Sequence, residues 1–416
     1  MPRTIPIAAL AAAVVVTPPA VAHRFNEAGT AEPQATVAVE DLGSPAQPGS
    51  GEPNLAVDSD GRVYMSWLEP TTDSATALRF AIHDGAKWSA ASTIRSGRDF
   101  FVNWADFPSI EVVGAKQLVA HWLQRTGRGS YAYGVRVVQS RDGGLTWSAP
   151  ITPHRDSGQA EHGFVAMWPE RGTVGAVWLD GRKLVLPPEQ QKKEMMLVST
   201  TLSGRGALGA ESMLDHRTCD CCQTTAAMTA NGPIIAYRDR SADEIRDIYV
   251  VRRVSGRWTE PAVVHADGWH INACPVNGPA IAASGQDVVV AWFTAANDSA
   301  RVKVAFSRDG GATFGKPSIV DGGNPAGRVD VMLLRDGSAL VSWIERTRGD
   351  TAAVLVRRVN QRGDRGAPVS IASSSAARAS GFPRMVQSRE HVVFAWTEPG
   401  RPTRVRTARA KASDFR

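Results

Sequence analysis

Seven times along the chain the same phrase recurs: a small-residue or hydrophobic pair, an aromatic, then usually a hydrophobic and a polar residue. The copies read VYMSWLE, LVAHWLQ, VGAVWLD, PIIAYRD, VVVAWFT, ALVSWIE and VVFAWTE. Their aromatics, Trp67, Trp122, Trp178, Tyr237, Trp292, Trp343 and Trp396, lie 55, 56, 59, 55, 51 and 53 residues apart. A period of this size marks an array of equivalent units.

The context of each copy resolves the unit into strands. Upstream lies a short stretch such as PNLAVDSDG (53–61) or GPAIAASGQ (278–286). The aromatic phrase follows, then an alternating run such as VKVAFS, and then a segment with Trp or Phe and Pro, as in RWTEPAVV. Period-two alternation between Gly, Asp and Asn turns is the signature of antiparallel strands. Four such strands make one propeller blade.

Seven copies therefore predict an all-β, seven-bladed β-propeller, with six blades plus an irregular appendage as the rival. The last unit stops one strand short, and ATVAVED (35–41) near the N-terminus is the strand expected to complete it. Sharing one blade between both ends of the chain removes exposed sheet edges. The 25 Pro and 38 Gly suit many tight turns, and 43% hydrophobic residues suffice for cores between blades.

The first residues read as an address. MPRTIPIAALAAAVVVTPPAVA has a basic Arg3, an apolar run and a small-x-small end at Ala20 and Ala22. The expected organisation is a signal peptide over 1–22 and a single propeller domain over 23–416, periplasmic or secreted. No second long apolar segment follows, so no membrane span is expected.

Charge is uneven. The formal net charge is +6, and residues 346–416 hold 15 Lys/Arg against 5 Asp/Glu, a local +10. The last blades are thus a basic sector suited to anionic surfaces, against the plainer reading of solvated outer strands. No basic and aromatic motif accompanies the charge, so nucleic acid is not an expected partner.

Two segments carry a family resemblance. SRDGGLTW (140–147) and SRDGGATF (307–314) resemble the Asp-box, the S-x-D-x-G-x-T-W hairpin of sialidases and related propellers, and IHDGAKWS (82–89) resembles a worn copy. The resemblance implies a sialidase-like propeller and speaks to fold alone. Sialidase chemistry asks for a late Tyr nucleophile, three Arg on the substrate carboxylate and an early F-R-I-P phrase. Here no Tyr follows Tyr249 and the phrase is missing, so classical sialidase activity is not expected.

A separate cluster is unusual. HRTCDCCQT (216–224) holds Cys219, Cys221 and Cys222, and WHINACPVNGP (269–279) holds Cys274. Both segments lead into the innermost strand of their blades, four and five, so topology gathers them on one face near the central channel. The readings that stay open are disulfides such as Cys221 or Cys222 to Cys274, a thiolate site for Cu or Zn, and a redox dithiol from the C-x-x-C pair Cys219 and Cys222. The same face is expected to collect Asp106, Glu161, His162 and Asp180 as candidate acid, base or carboxylate catalysts. Arg182, Arg238, Arg240, Arg246, Asn277 and Arg328 are candidate ligand-binding residues. The Arg-rich loop YRDRSADEIRDI (237–248) has a competing reading as an internal salt-bridge network. The leading function is a ligand or soft-metal site at this Cys-rich pocket, with possible redox chemistry. Its alternatives are a carbohydrate-active hydrolase of altered mechanism and a non-catalytic interaction scaffold. Partners are then a small molecule, glycan or metal, in an oligomeric state that composition leaves open.

Overall fold

The computed structural model describes residues 32–416 apart from 157, 171 and 193. The leader reading therefore lies outside the described residues. Seven small antiparallel sheets stand in a ring, the seven-bladed propeller expected from the repeats. The innermost strands of successive blades are Gly51–Val57, Ser109–Gly114, His162–Glu170, Thr225–Thr229, Ala280–Ser284, Pro325–Leu333 and Arg384–Ser388. Each packs against the next, and the first touches the last.

The recurring aromatics occupy equivalent second strands and are all buried. Removing one such side chain would cost about 3–5 kcal/mol. The polar residue two places on also has a physical role. Trp67 Nε1 donates to Glu69 at 2.8 Å, Trp178 to Asp180 at 2.8 Å and Trp343 to Glu345 at 2.6 Å, so the W-x-acid spacing satisfies an indole inside the core. Among the described residues the core forms seven apolar wedges, each shared by the facing sheets of two neighbouring blades, and a small eighth cluster around Ile344 inside blade six.

Closure follows the expected route over a shorter length. Glu40–Asp41 pairs with Arg404–Lys411 in the last blade, opposite Arg409 and Ala408. Upstream, Ala35 instead bridges Val369 of blade six, while Val37 and Val39 pack into the wedge between blades six and seven. Glu40 and Asp41 bond Arg409 and Arg406, so part of the basic sector is neutralised by the closing strand. Blade two has three strands, not four. Its outer segment makes only the Val137–Ile151 bridge, because Pro150 and Pro153 flank Ile151 and a proline cannot donate to a ladder.

Both Asp-boxes form with matching bonds. Asp142 accepts from Thr146 N at 2.9 Å and Ser140 Oγ at 2.8 Å, and Asp309 accepts from Thr313 N at 2.9 Å and Ser307 Oγ at 2.7 Å. In the worn copy Asp84 still holds Ala86 N and Lys87 N, while His83 Nδ1 takes the place of the serine hydroxyl toward Gly85 N.

Candidate functional site

Residues 219–222 form a turn between the outer strand Ser212–Thr218 of blade three and the inner strand Thr225–Thr229 of blade four. Alternation along a strand would send neighbouring side chains to opposite faces; the turn frees these cysteines from that rule. Cys219 Sγ lies 3.2 Å from Cys222 Sγ and 3.8 Å from Cys221 Sγ. Asp220, Cys221 and Cys274 form a second grouping, whose ligand atoms all lie within 4.8 Å of one another. Cys274 thus approaches the triplet from blade five, as the topology required.

The turn is pinned on several sides. Cys219 N donates to Arg238 O at 3.0 Å, Gln223 Nε2 to Ala105 O at 2.6 Å, and Thr224 Oγ1 to Phe164 O at 2.6 Å. Gly278 passes so close that a Cβ there would sit 2.1 Å from Gln223 O, which keeps the Cys274 loop against the turn. Such links recur around the channel mouth. Asp106 accepts from Phe164 N at 2.6 Å, Asn277 from Arg328 N at 2.7 Å, and Asp330 from Met385 N at 2.8 Å, each joining one blade to the next.

All four cysteines are free. The disulfide, one of the readings left open, is therefore not formed: even Cys219 and Cys222, whose sulfurs stand 3.2 Å apart, are far from the roughly 2.05 Å of a bond. Cys219 and Cys222 are buried, Cys221 half-buried and Cys274 exposed. Burial opposes ionisation of Cys219, yet hydrogen bonds from Cys221 and Cys222 and the Arg238 charge hold its thiol well below the ordinary range. The bonds Cys221 makes to Cys219, Cys222 and Cys274 push its own thiol up, and burial does the same at Cys222. Arg246 Nη1 stands 3.4 Å from Cys219 Sγ.

The arginines divide by partner. Arg238 is buried over the Trp269 ring and donates to the carbonyls of Asn277, Arg246 and Phe293. Arg328 lies over Trp104 and donates to Ala376, Ala377 and Gly381, and burial lowers its pKa to about 10. Arg182 pairs with Asp180 at 2.6 Å and Glu211 at 3.0 Å. In the loop 237–248, Glu244 is the hub: Arg240 meets it at 2.7 Å, Arg246 at 2.9 Å and Arg217 at 3.3 Å. That is the salt-bridge network weighed against an anion clamp.

The candidate carboxylates lie in two groups. Asp106 and Glu161 share Tyr133, whose hydroxyl donates at 3.2 and 2.7 Å respectively. Burial raises Asp106 well above the usual carboxylate range and Glu161 to about 7. Asp180 is fully buried under Trp178 and Arg182, and His162 Nε2 lies 3.6 Å from it. Glu244 belongs to the acidic partners expected for that loop, whereas Tyr133 and Asp220 did not stand out as site residues in the sequence. Only the C-D-C-C spacing marked the second of them.

No family model matches the chain, and no curated protein matches it. Solved structures do. The BP39L lectin from Burkholderia pseudomallei is 12% identical over 85% of this chain and 94% of its own, with a TM-score of 0.56. The NanB sialidase from Streptococcus pneumoniae is 9% identical over 91% and 95%, with a TM-score of 0.46. An α-L-arabinanase from Penicillium chrysogenum is 12% identical over 92% and 100%, with a TM-score of 0.49. These likenesses concern the fold. With the seven sheets in a ring, the chain has the fold of a seven-bladed β-propeller, and its sequence holds no Tyr after Tyr249.

Proposed function

We propose that the chain is an exported metal-binding propeller. Cys219, Cys221 and Cys222 supply thiolates for a soft ion, Cu(I) or Zn(II), and Cys274 completes the set from the next blade. The observation that carries this reading is three cysteine sulfurs from one turn within 4.8 Å of one another, with Cys274 in reach of Cys221. Thiolates about 2.3 Å from a tetrahedral ion stand roughly 3.8 Å apart, close to the 3.8 Å between Cys219 and Cys221. Sulfur donors favour soft ions over Mg(II) or Ca(II). The nearby Arg246 and Arg238 offset the negative charge that several thiolates bring together. The gradient of burial suits exchange: Cys274 and Asp220 meet an incoming ion at the surface, and Cys219 and Cys222 hold it inside.

Two measurements test this. Titration with Co(II) should give one thiolate charge-transfer band, and Cu(I) should compete against a chromophoric chelator. Cys219→Ser or Cys222→Ser should weaken uptake tenfold or more. Four reactive thiols with no uptake of Cu(I), Zn(II) or Co(II) would overturn the metal reading. The 3.2 Å separation of Cys219 and Cys222 then favours the redox dithiol, which a reversible two-electron oxidation would reveal.

A further inference from the structure

We infer, building on the metal-binding reading, that the cysteine site seats two Cu(I) ions at once, an inner and an outer one, bridged by the Cys221 thiolate. The ligand atoms fall into two sets that overlap in Cys221. Cys219, Cys221 and Cys222 form one, and Asp220, Cys221 and Cys274 the other, each set lying within 4.8 Å. Ligands held about 2.3 Å (sulfur) or 2.1 Å (oxygen) from an ion in a trigonal plane stand roughly 4.0 Å apart for two sulfurs and 3.8 Å for sulfur and oxygen. Cys219 and Cys221 are 3.8 Å apart in the inner set, and Cys274 Sγ is 3.8 Å from Asp220 Oδ1 in the outer one. Cys219 and Cys222, at 3.2 Å, are the tighter pair and part slightly to admit an ion.

Coordination number separates Cu(I) from Zn(II) here. Zn(II) takes four ligands in a tetrahedron, so one such ion draws on all four cysteines. Cu(I), a soft ion selected by thiolates, is complete with two or three of them. Each set supplies that number by itself: three sulfurs inside, and outside Cys221 and Cys274, with Asp220 as a weaker oxygen donor at the side. Arg246 ties the two seats together. Its Nη1 stands 3.4 Å from Cys219 Sγ and 3.5 Å from Asp220 Oδ1, one ligand of each set, while its Nη2 donates to Glu244 at 2.9 Å. The outer seat spans two blades, so its shape depends on the loop that carries Cys274. That loop is fixed against blade four on both sides of the cysteine. Arg246 N donates to Trp269 O at 2.9 Å and Ile271 N to Glu244 O at 3.0 Å before it, and Gly278 N donates to Gln223 Oε1 at 2.9 Å after it. Exposure orders the filling. Cys274 is exposed and 39% of the Asp220 side chain meets solvent, whereas Cys219 and Cys222 are buried. A first ion therefore enters at the outer seat and passes inward over Cys221, and a second takes the place it left. Two Cu(I) ions also balance more of the negative charge gathered by four thiolates and Asp220 than one does.

The test is anaerobic titration of the reduced chain with Cu(I) against a chromophoric chelator, with Zn(II) titrated in parallel. Two equivalents of Cu(I) and one of Zn(II) should bind, and X-ray absorption of the Cu(I)-loaded chain should show a copper neighbour as well as sulfur. Cys274→Ser, at an exposed position, should lower Cu(I) uptake from two equivalents to one and remove the copper–copper signal. Asp220→Asn should weaken the second equivalent several-fold and leave the first unchanged. Circular dichroism and cooperative melting check that each variant is folded. If Cys274→Ser misfolds, selective alkylation of the exposed Cys274 in the native chain reads the same loss. One equivalent of Cu(I) in the native chain, two equivalents undiminished by Cys274→Ser, or two ions without a copper–copper signal would each overturn the bridged pair and leave the single-ion reading in place. Uptake of neither Cu(I) nor Zn(II) would overturn that reading, and the bridged pair with it.

Discussion

At the scale of single residues, the channel holds a titratable group outside the cysteine site. Glu111 lines a cavity of about 110 Å³ that receives residues from all seven blades, among them Leu55, Met167, Thr225, Pro279, Val329 and Arg384. Burial raises its pKa from 4.5 to about 8, with Arg384 pulling back. A carboxyl raised on folding keeps its proton in the native state while the unfolded chain releases it. Its stabilising contribution is therefore full below 4.5 and is lost as pH climbs towards 8. Glu111→Gln should melt with the native protein at pH 4 and above it at pH 8; parallel melting curves across that window would contradict the assignment. Gly144 of the first Asp-box is a second such residue. Its φ is +91°, and a Cβ would lie 2.3 Å from Phe80 Cζ. Gly144→Ala should cost about 1–3 kcal/mol, seen as a lower denaturation midpoint at unchanged slope.

At the scale of elements, the closing strand is two residues long, yet it covers the edge of Arg404–Lys411 and its acidic side chains meet Arg406 and Arg409. A chain beginning at residue 44 should melt several degrees below one beginning at 23 and aggregate more readily, because an uncovered edge is a template for pairing. Equal melting temperatures would show that the ring closes without it. The second strands were legible because every copy repeats one aromatic in one register. Outer strands were less so, since two prolines around Ile151 reduce one of them to a single bridge. The lead-in segments were recognised as neighbours, but their use in stitching blade to blade through Asp106, Asn277 and Asp330 depends on backbone atoms distant in sequence.

At the scale of the whole molecule, the ring gathers polar groups at the channel mouth, and the nucleophile that sialidase chemistry asks for has no counterpart late in the sequence. The late Tyr is missing, and Tyr133, which does meet two acids, is 1% exposed. Standard fluorogenic sialosides should therefore remain intact. Turnover of about one per second or faster would show that another group supplies the nucleophile.

The sequence by itself favoured seven blades over six, and it determined the strand that carries each aromatic, the Asp-box hairpins and the meeting of Cys274 with the cysteine triplet. These follow from local period and ring topology, which a linear pattern contains. Only the tertiary structure decided that the cysteines are free thiols on a turn, that Arg238 and Arg328 are spent on backbone carbonyls, and that His154 and Asp156 join His162. Those outcomes turn on sulfur, nitrogen and oxygen positions differing by an ångström or two, set by how neighbouring blades pack.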